Sequence, residues 1–209
     1  MSEGLRLKPH FLSAWLRNPL QMGAVVPSSD GLAWAMARQL PLNPGRTLEL
    51  GAGTGAVTRA LLARGVASLD LLSIEKDPAL ARELGRKFPT LRVLTGDAAR
   101  LTGLLEASHF LPVDTVVSSL PLLSMRNWTR TRILSQVFAV LAPGGQLIQF
   151  TYSPRPPIPE TLVAALGLEG ERVQRVLWNL PPASVWVYRQ TPHGHPGHGV
   201  QALLAAVNH

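Results

Sequence analysis

Apolar positions come in short bursts of two alternating kinds, and the alternation itself predicts the architecture. Residues 46–52 (Arg-Thr-Leu-Glu-Leu-Gly-Ala) form a brief apolar run that stops at glycine, the pattern of a buried strand. Residues 56–64 then repeat at helical spacing and end at Gly65. The same pair recurs. Residues 68–75, 92–95, 114–119 and 146–152 read as strands. Residues 78–88, opened by Pro78, 98–107 and 127–141 read as helices, the last closed by Pro143-Gly144-Gly145. Strands alternating with helices of about ten residues imply right-handed crossovers and a parallel sheet covered on both faces. The rhythm changes near the end. Residues 172–178 and 184–189 are extended runs separated by only five residues, Asn179 to Ala183, which predicts an antiparallel hairpin.

Outside this rhythm lie two further segments. Near the start, Phe11, Leu12, Trp15 and Leu16 fall on one stripe of a short helix ended before Pro19, with Lys8 and Arg17 beside it. Such a helix suits the headgroup level of an anionic bilayer, or a lid over the sheet. Ser28 is placed to cap a following helix whose Leu32, Met36 and Leu40 face inward. Beyond residue 190, Thr191–Gly199 is rich in Gly, Pro and His and precedes a short apolar stretch. The expected division is therefore 1–43, a helical membrane-binding or lid segment; 44–190, the αβ domain; and 191–209, a flexible tail. His193, His195 and His198 belong to that tail and are not expected to hold a metal.

Composition narrows the partners. The 209 residues carry 20 Lys+Arg against 13 Asp+Glu, and 17 of those bases are arginine, whose forked donors fit phosphate and carboxylate. The absence of cysteine removes disulfides, thiolate catalysis and Cys-type zinc sites. With no secretory signal and no apolar run of membrane-spanning length, the expectation is a cytoplasmic protein that meets a membrane only peripherally.

The chemistry concentrates at strand ends. Glu49-Leu-Gly51-Ala-Gly53-Thr-Gly55 lies between a strand and a helix, where glycine permits a sharp turn and close backbone approach to a ligand. Glu75 ends the next strand, placed for ribose hydroxyls, and Asp97 follows the third. The spacing is Gly-x-Gly-x-Gly rather than the usual dinucleotide pattern, and Glu49 would repel a pyrophosphate while suiting an ammonium. On these motifs the chain resembles the class I S-adenosylmethionine-dependent methyltransferases. The resemblance implies a Rossmann-like α/β fold with a seven-stranded, mostly parallel sheet in the order 3-2-1-4-5-7-6, strand 7 antiparallel. It implies S-adenosylmethionine as cofactor, with Gly51, Gly53 and Gly55 along the methionine, Glu75 on the ribose, Lys76 packed by the adenine, and Asp97 with Ala98 at the adenine edge.

Ser119-Leu120-Pro121-Leu122 stands where amino-group methyltransferases of nucleobases carry an Asn/Asp-Pro-Pro-aromatic motif. Leu122 replaces the stacking aromatic, which turns the reading away from a base. Gln149-Phe150-Thr151-Tyr152, Pro156-Pro157-Ile158-Pro159, Trp178 to Tyr188 and the 11–28 segment are similar to bacterial soluble phospholipid N-methyltransferases. Gly-Ala-Gly stands in place of Gly-Pro-Gly, and Ser119 stands where glycine is frequent. This resemblance implies stepwise methylation of phosphatidylethanolamine towards phosphatidylcholine at an anionic membrane surface, with no nucleic acid and no metal. Transfer to an amine demands alignment and an unprotonated nucleophile. Ser119 and Tyr152 are the candidate catalytic pair, with Leu120, Pro121, Asn179 and Trp178 around the headgroup and Arg155 or Arg189 on its phosphate. The alternatives are an RNA adenine dimethyltransferase and a non-catalytic protein that binds the cofactor and a membrane.

Overall fold

The computed structural model describes residues 30–179 and 181–191. The 11–28 segment, with Lys8, Phe11, Leu12, Trp15, Leu16, Arg17 and Ser28, lies outside the described residues, as does the tail beyond Thr191. The elements run α1 (Asp30–Ala37), β1 (Thr47–Leu50), α2 (Ala56–Ala63), β2 (Leu71–Glu75), α3 (Pro78–Lys87) and β3 (Arg92–Thr95). After them come α4 (Leu101–Ala107), β4 (Val113–Ser118), α5 (Asn127–Val140), β5 (Leu141–Thr151), α6 (Glu160–Ala165), β6 (Leu168–Val176) and β7 (Ala183–Gln190). Short 3-10 turns precede α4 at Ala98–Arg100 and α5 at Leu122–Ser124.

The sheet order is β3-β2-β1-β4-β5-β7-β6, with β7 antiparallel to both neighbours. This is the order expected from the sequence. β1 and β2 are buried along their whole length, because a parallel sheet is covered on both sides. One face packs Leu48, Leu50 and Val116 under α4, α5 and α6, with Leu105, Leu134, Phe138 and Leu162. The other packs Val117, Ile148 and Val187 under α1, α2 and α3, with Met36, Leu61 and Leu84. Leu32, Met36 and Leu40 do face inward, so the core extends upstream of residue 44.

Two strands differ from expectation at their ends. β5 begins at Leu141, and the Pro143-Gly144-Gly145 break is a bulge inside it: Val113 pairs with Leu141, while Thr115, two residues on, pairs with Gln146. β6 begins at Leu168 instead of Arg172. Its first half, Glu169-Gly170-Glu171, is a polar stretch at the sheet edge without apolar alternation, which hides a strand from pattern reading. The six-residue α6 was not expected at all; Leu162 is its one fully buried side chain.

Candidate functional site

The parallel strands β1, β2, β4 and β5 all end at one edge of the sheet, and the candidate residues gather there. The chain leaves β1 through three glycines with positive φ: Gly51 (72°), Gly53 (52°) and Gly55 (83°). Side chains rarely adopt that region. Each glycine does something different. A Cβ on Gly51 would stand 3.0 Å from Leu120 Cδ2, so its bareness lets the β4 exit lie against the loop. A Cβ on Gly53 would meet nothing within 4 Å, so this backbone faces open space. A Cβ on Gly55 would stand 2.7 Å from Leu84 Cδ1 and 2.8 Å from Phe88 Cε2. The bareness of Gly55 therefore serves the packing of α3 on the loop.

Glu75 ties this loop down. Its Oε2 accepts from Gly53 N at 2.9 Å and its Oε1 from Asp77 N at 3.0 Å, and each oxygen keeps a lone pair for a further donor. Asp97 is held similarly. Its Oδ1 caps the following turn from Ala99 N at 2.9 Å and its Oδ2 meets Lys76 Nζ at 2.8 Å. The Lys76 hydrogen bond, followed by the Ala99 amide, keeps the Asp97 carboxyl below its usual range. Lys76 thus reaches across to β3's exit as the partner of Asp97. Between these groups opens a cleft of about 100 Å³, open to solvent and smaller than a typical small-molecule pocket. Gly51, Glu75, Lys76, Gly96, Asp97, Ala98 and Leu120 are in its wall.

Glu49 stands behind the loop, outside the wall of that cleft. Alternation along β1 turns it to the α2 side, where it is fully buried and its Oε2 accepts from Thr58 Oγ1 (2.7 Å) and Ser73 Oγ (2.6 Å). Its Oε1 has no partner among the described residues. Burial pushes its pKa up, opposed by the Ser73 and Thr58 hydroxyls. Through Oε2 Glu49 thus forms a buttress beneath the loop.

On the other side of the cleft, Ser119 N donates to Leu50 O at 2.9 Å, which sets Ser119 beside the first glycine. Its Oγ is buried and without a partner among the described residues. Gln149, unforeseen from the sequence, clamps the turn that follows: its Nε2 donates to Leu120 O at 3.0 Å and to Phe150 O at 2.9 Å. Pro121 O accepts from Ser124 N. Tyr152 is half-buried beside Phe150, ring centroids 5.2 Å apart and edge-on. Burial raises its pKa, and a hydrogen bond with Asn179 opposes the shift. Asn179 is buried and also donates to Pro181 O at 2.7 Å. The structure therefore brings together Ser119, Leu120, Pro121, Tyr152 and Asn179 at one edge.

Two expected headgroup residues lie elsewhere. Arg189 pairs in register with Gln146, at the opposite end of β5, and its Nη2 donates to Gln146 Oε1 at 2.6 Å. It cannot meet a ligand at the strand ends. Trp178 sits on the β6–β7 turn with 99% of its surface exposed, so its ring walls no pocket here. Arg155 is exposed just past β5, on the site's edge. The sequence reading also missed Met125, Thr129 and Ile133, which close the cleft from the start of α5. The spacing of four between Thr129 and Ile133 was available as a signal, since it puts both on one face of α5, whereas Met125 precedes the helix in an extended conformation. Among the described residues no group of three His, Asp or Glu is arranged to hold a metal, and no helix is long and apolar enough to cross a membrane.

Comparison with known proteins adds four findings. Residues 47–145 match a family described as a methyltransferase domain. Over 148 residues the chain is 32% identical to the ornithine lipid N-methyltransferase of Singulisphaera acidiphila, covering 69% of this chain and 77% of that protein. A shorter match, 31% over 100 residues, relates it to the ribosomal RNA small subunit methyltransferase A of Thermosynechococcus vestitus, covering 46% of this chain and 32% of that one. Among solved structures, 1,6-didemethyltoxoflavin-N1-methyltransferase of Burkholderia thailandensis, described with bound S-adenosylhomocysteine, superposes with a TM-score of 0.64 at 18% identity, over 91% of this chain and 93% of that one.

Proposed function

This chain belongs to the class I S-adenosylmethionine-dependent methyltransferases, and we propose that its acceptor is the amine of a membrane-lipid headgroup, phosphatidylethanolamine first. The observation that carries the lipid reading is the 32% identity to a lipid N-methyltransferase across more than two thirds of both chains. The ribosomal relative matches less than half of this chain. Leu122, buried under the β4 exit, also leaves no aromatic there to stack on a flipped base.

The chemistry of the cleft's lining suits the cofactor. Gly53 offers open backbone, Glu75 keeps free lone pairs on a carboxylate already oriented by two amides, and Asp97 with Ala98 closes the far wall. Bound there, S-adenosylmethionine supplies an electrophilic methyl on a sulfonium. Glu75 would accept from its ribose and the Asp97 turn would meet its adenine. The protein's remaining task is to present a neutral amine in line. The free Ser119 hydroxyl is an acceptor available to hold an amine N–H, and Pro121 O, which accepts one hydrogen bond, keeps a second lone pair for the same task. Tyr152, kept neutral by burial, walls the site and offers its ring face as the nitrogen becomes quaternary. Arg155 is the exposed cation on this edge for the headgroup phosphate.

Methyl-labelled S-adenosylmethionine, offered with vesicles containing phosphatidylethanolamine, vesicles containing an ornithine lipid, and ribosomal RNA in separate reactions, tests this reading. Label is expected in mono- to trimethylated phosphatidylethanolamine. Label in the ornithine lipid alone would move the acceptor to an amino-acid lipid. Label in RNA adenine, or in none of the three while the cofactor binds, would overturn the lipid assignment.

A further inference from the structure

The β6–β7 turn exposes Leu177 by 62% and Trp178 by 99%. An unpacked Trp-Leu tip loses the burial of two large apolar side chains, so folding alone does not account for it. Its place is set by register. Thr151, the last residue of β5, pairs with Ser184, and Ser184 pairs with Arg175, so the turn stands at the edge where the parallel strands end. That is the edge of the cofactor cleft. The next residue, Asn179, is buried and bonded to Tyr152 and Pro181, so the tip is anchored to the acceptor side of the site.

A second apolar pair, Leu123 on the β4–α5 connection and Trp128 in the first turn of α5, is a little over one-third exposed at the same edge, next to the cleft residues Met125 and Thr129. Arg132 lies 5.3 Å over the Trp128 ring. Around the two tips Arg126, Arg132, Arg155 and Arg175 are exposed, against Glu160 at the start of α6. Leu42 and Leu69 are exposed before β1 and β2, at the opposite edge, and Trp34 is about as exposed on α1 as Trp128 is on α5.

We propose that this strand-end edge is a membrane-docking face, whose Leu177-Trp178 and Leu123-Trp128 tips enter the headgroup layer of an anionic bilayer while the arginines meet lipid phosphates. The inference rests on the lipid reading above and adds to it that the catalytic domain itself seats on the membrane. Tryptophan's apolar body and single N–H donor suit the headgroup level, and clustered arginine suits anionic phosphate. The seating turns the cleft towards the lipid surface.

Because the chain has no cysteine, L177C and L69C can each carry one environment-sensitive fluorophore in the full-length protein. With vesicles rich in phosphatidylglycerol, the probe at 177 is expected to shift to the blue and the probe at 69 to remain as in water. L177D and W178A are expected to weaken vesicle binding about tenfold. L177D should also raise KM for vesicle-borne lipid while leaving methylation of detergent-dispersed lipid within about twofold. Equal responses at 177 and 69, unchanged vesicle affinity in L177D, or loss of single-stranded RNA binding in place of vesicle binding would overturn the proposal. Insertion at 177 by a protein that methylates no lipid amine would instead uphold this face and reject the lipid-acceptor reading.

Discussion

The two halves of the strand-end edge are built differently. On the β1–β3 side the polar groups that line the cleft are paired within the protein, Glu75 with two amides and Asp97 with a capped turn and Lys76, while Glu49 Oε1, behind the loop, has no partner among the described residues. On the β4–β7 side, polar atoms are buried without partners: Ser119 Oγ, Gln149 Oε1 and Trp186 Nε1. An unpaired buried polar atom costs roughly 1–3 kcal/mol, so such atoms persist where a ligand or a motion completes them. On the proposed reading, the difference separates a preformed cofactor half from an acceptor half completed by its substrate.

The sharpest way to break that contrast is at Glu75. E75A removes the ribose acceptor and releases the Gly53 amide together, so cofactor affinity measured by calorimetry should fall about a hundredfold, roughly 3 kcal/mol for two charge-assisted hydrogen bonds. A fall below about threefold would show that the loop is ordered without it. Next in size is Gln149. Q149L leaves Leu120 O without its side-chain donor beside the cleft and should cost about 1–3 kcal/mol of stability by thermal denaturation. Its catalytic effect should be mainly on kcat with the lipid amine, while cofactor affinity stays close to wild type. Equal losses in both would make the clamp part of the cofactor half.

Much of the cofactor half was legible because it depends on local signals. Gly51, Gly53, Glu75 and Asp97 are each placed by the end of one strand, and strand ends are readable from apolar runs that stop at polar or glycine residues. Reading failed where placement depends on pairing. Arg189 and Asn179 are ten residues apart on one hairpin, yet only the register of β7 on β5 shows that one reaches the site edge and the other the far end. Gln149 lay inside a quoted motif, but its work is a contact with Leu120 across neighbouring strands. Glu49 was legible as an acid and illegible in direction, since a one-residue alternation decides whether it faces α2 or the cleft.

Glu49 gives a further test, of smaller effect. Its folded pKa lies above the ordinary value of 4.5 because of burial, so the folded chain keeps a proton that the unfolded chain releases. Stability therefore falls as pH rises from about 4.5 until the folded carboxyl also ionises. E49Q removes that slope: denaturation across this window should show the variant gaining on wild type as pH increases. Cofactor affinity should move far less than in E75A, because Glu49 stands behind the loop. A comparable loss would place its charge in the cofactor half.

The smallest effect is expected at Asp97, where the pairing with Lys76 is visible but exposed. Hydrogen bonds hold its carboxyl below the ordinary value, so its contribution is present at neutral pH and is lost as pH falls through that lowered pKa. Both partners are open to solvent, which limits the pair to less than about 1 kcal/mol. D97N keeps an oxygen to cap Ala99 N and loses only the charge. Its stability at neutral pH should match wild type within that margin, and raising salt should close the gap. If the turn rather than the ion pair holds the proposed adenine end of the cleft, cofactor affinity of the wild type should be insensitive to salt and D97N should match it; a loss of wild-type affinity with salt that D97N lacks would show that the Lys76–Asp97 pair itself shapes the cleft.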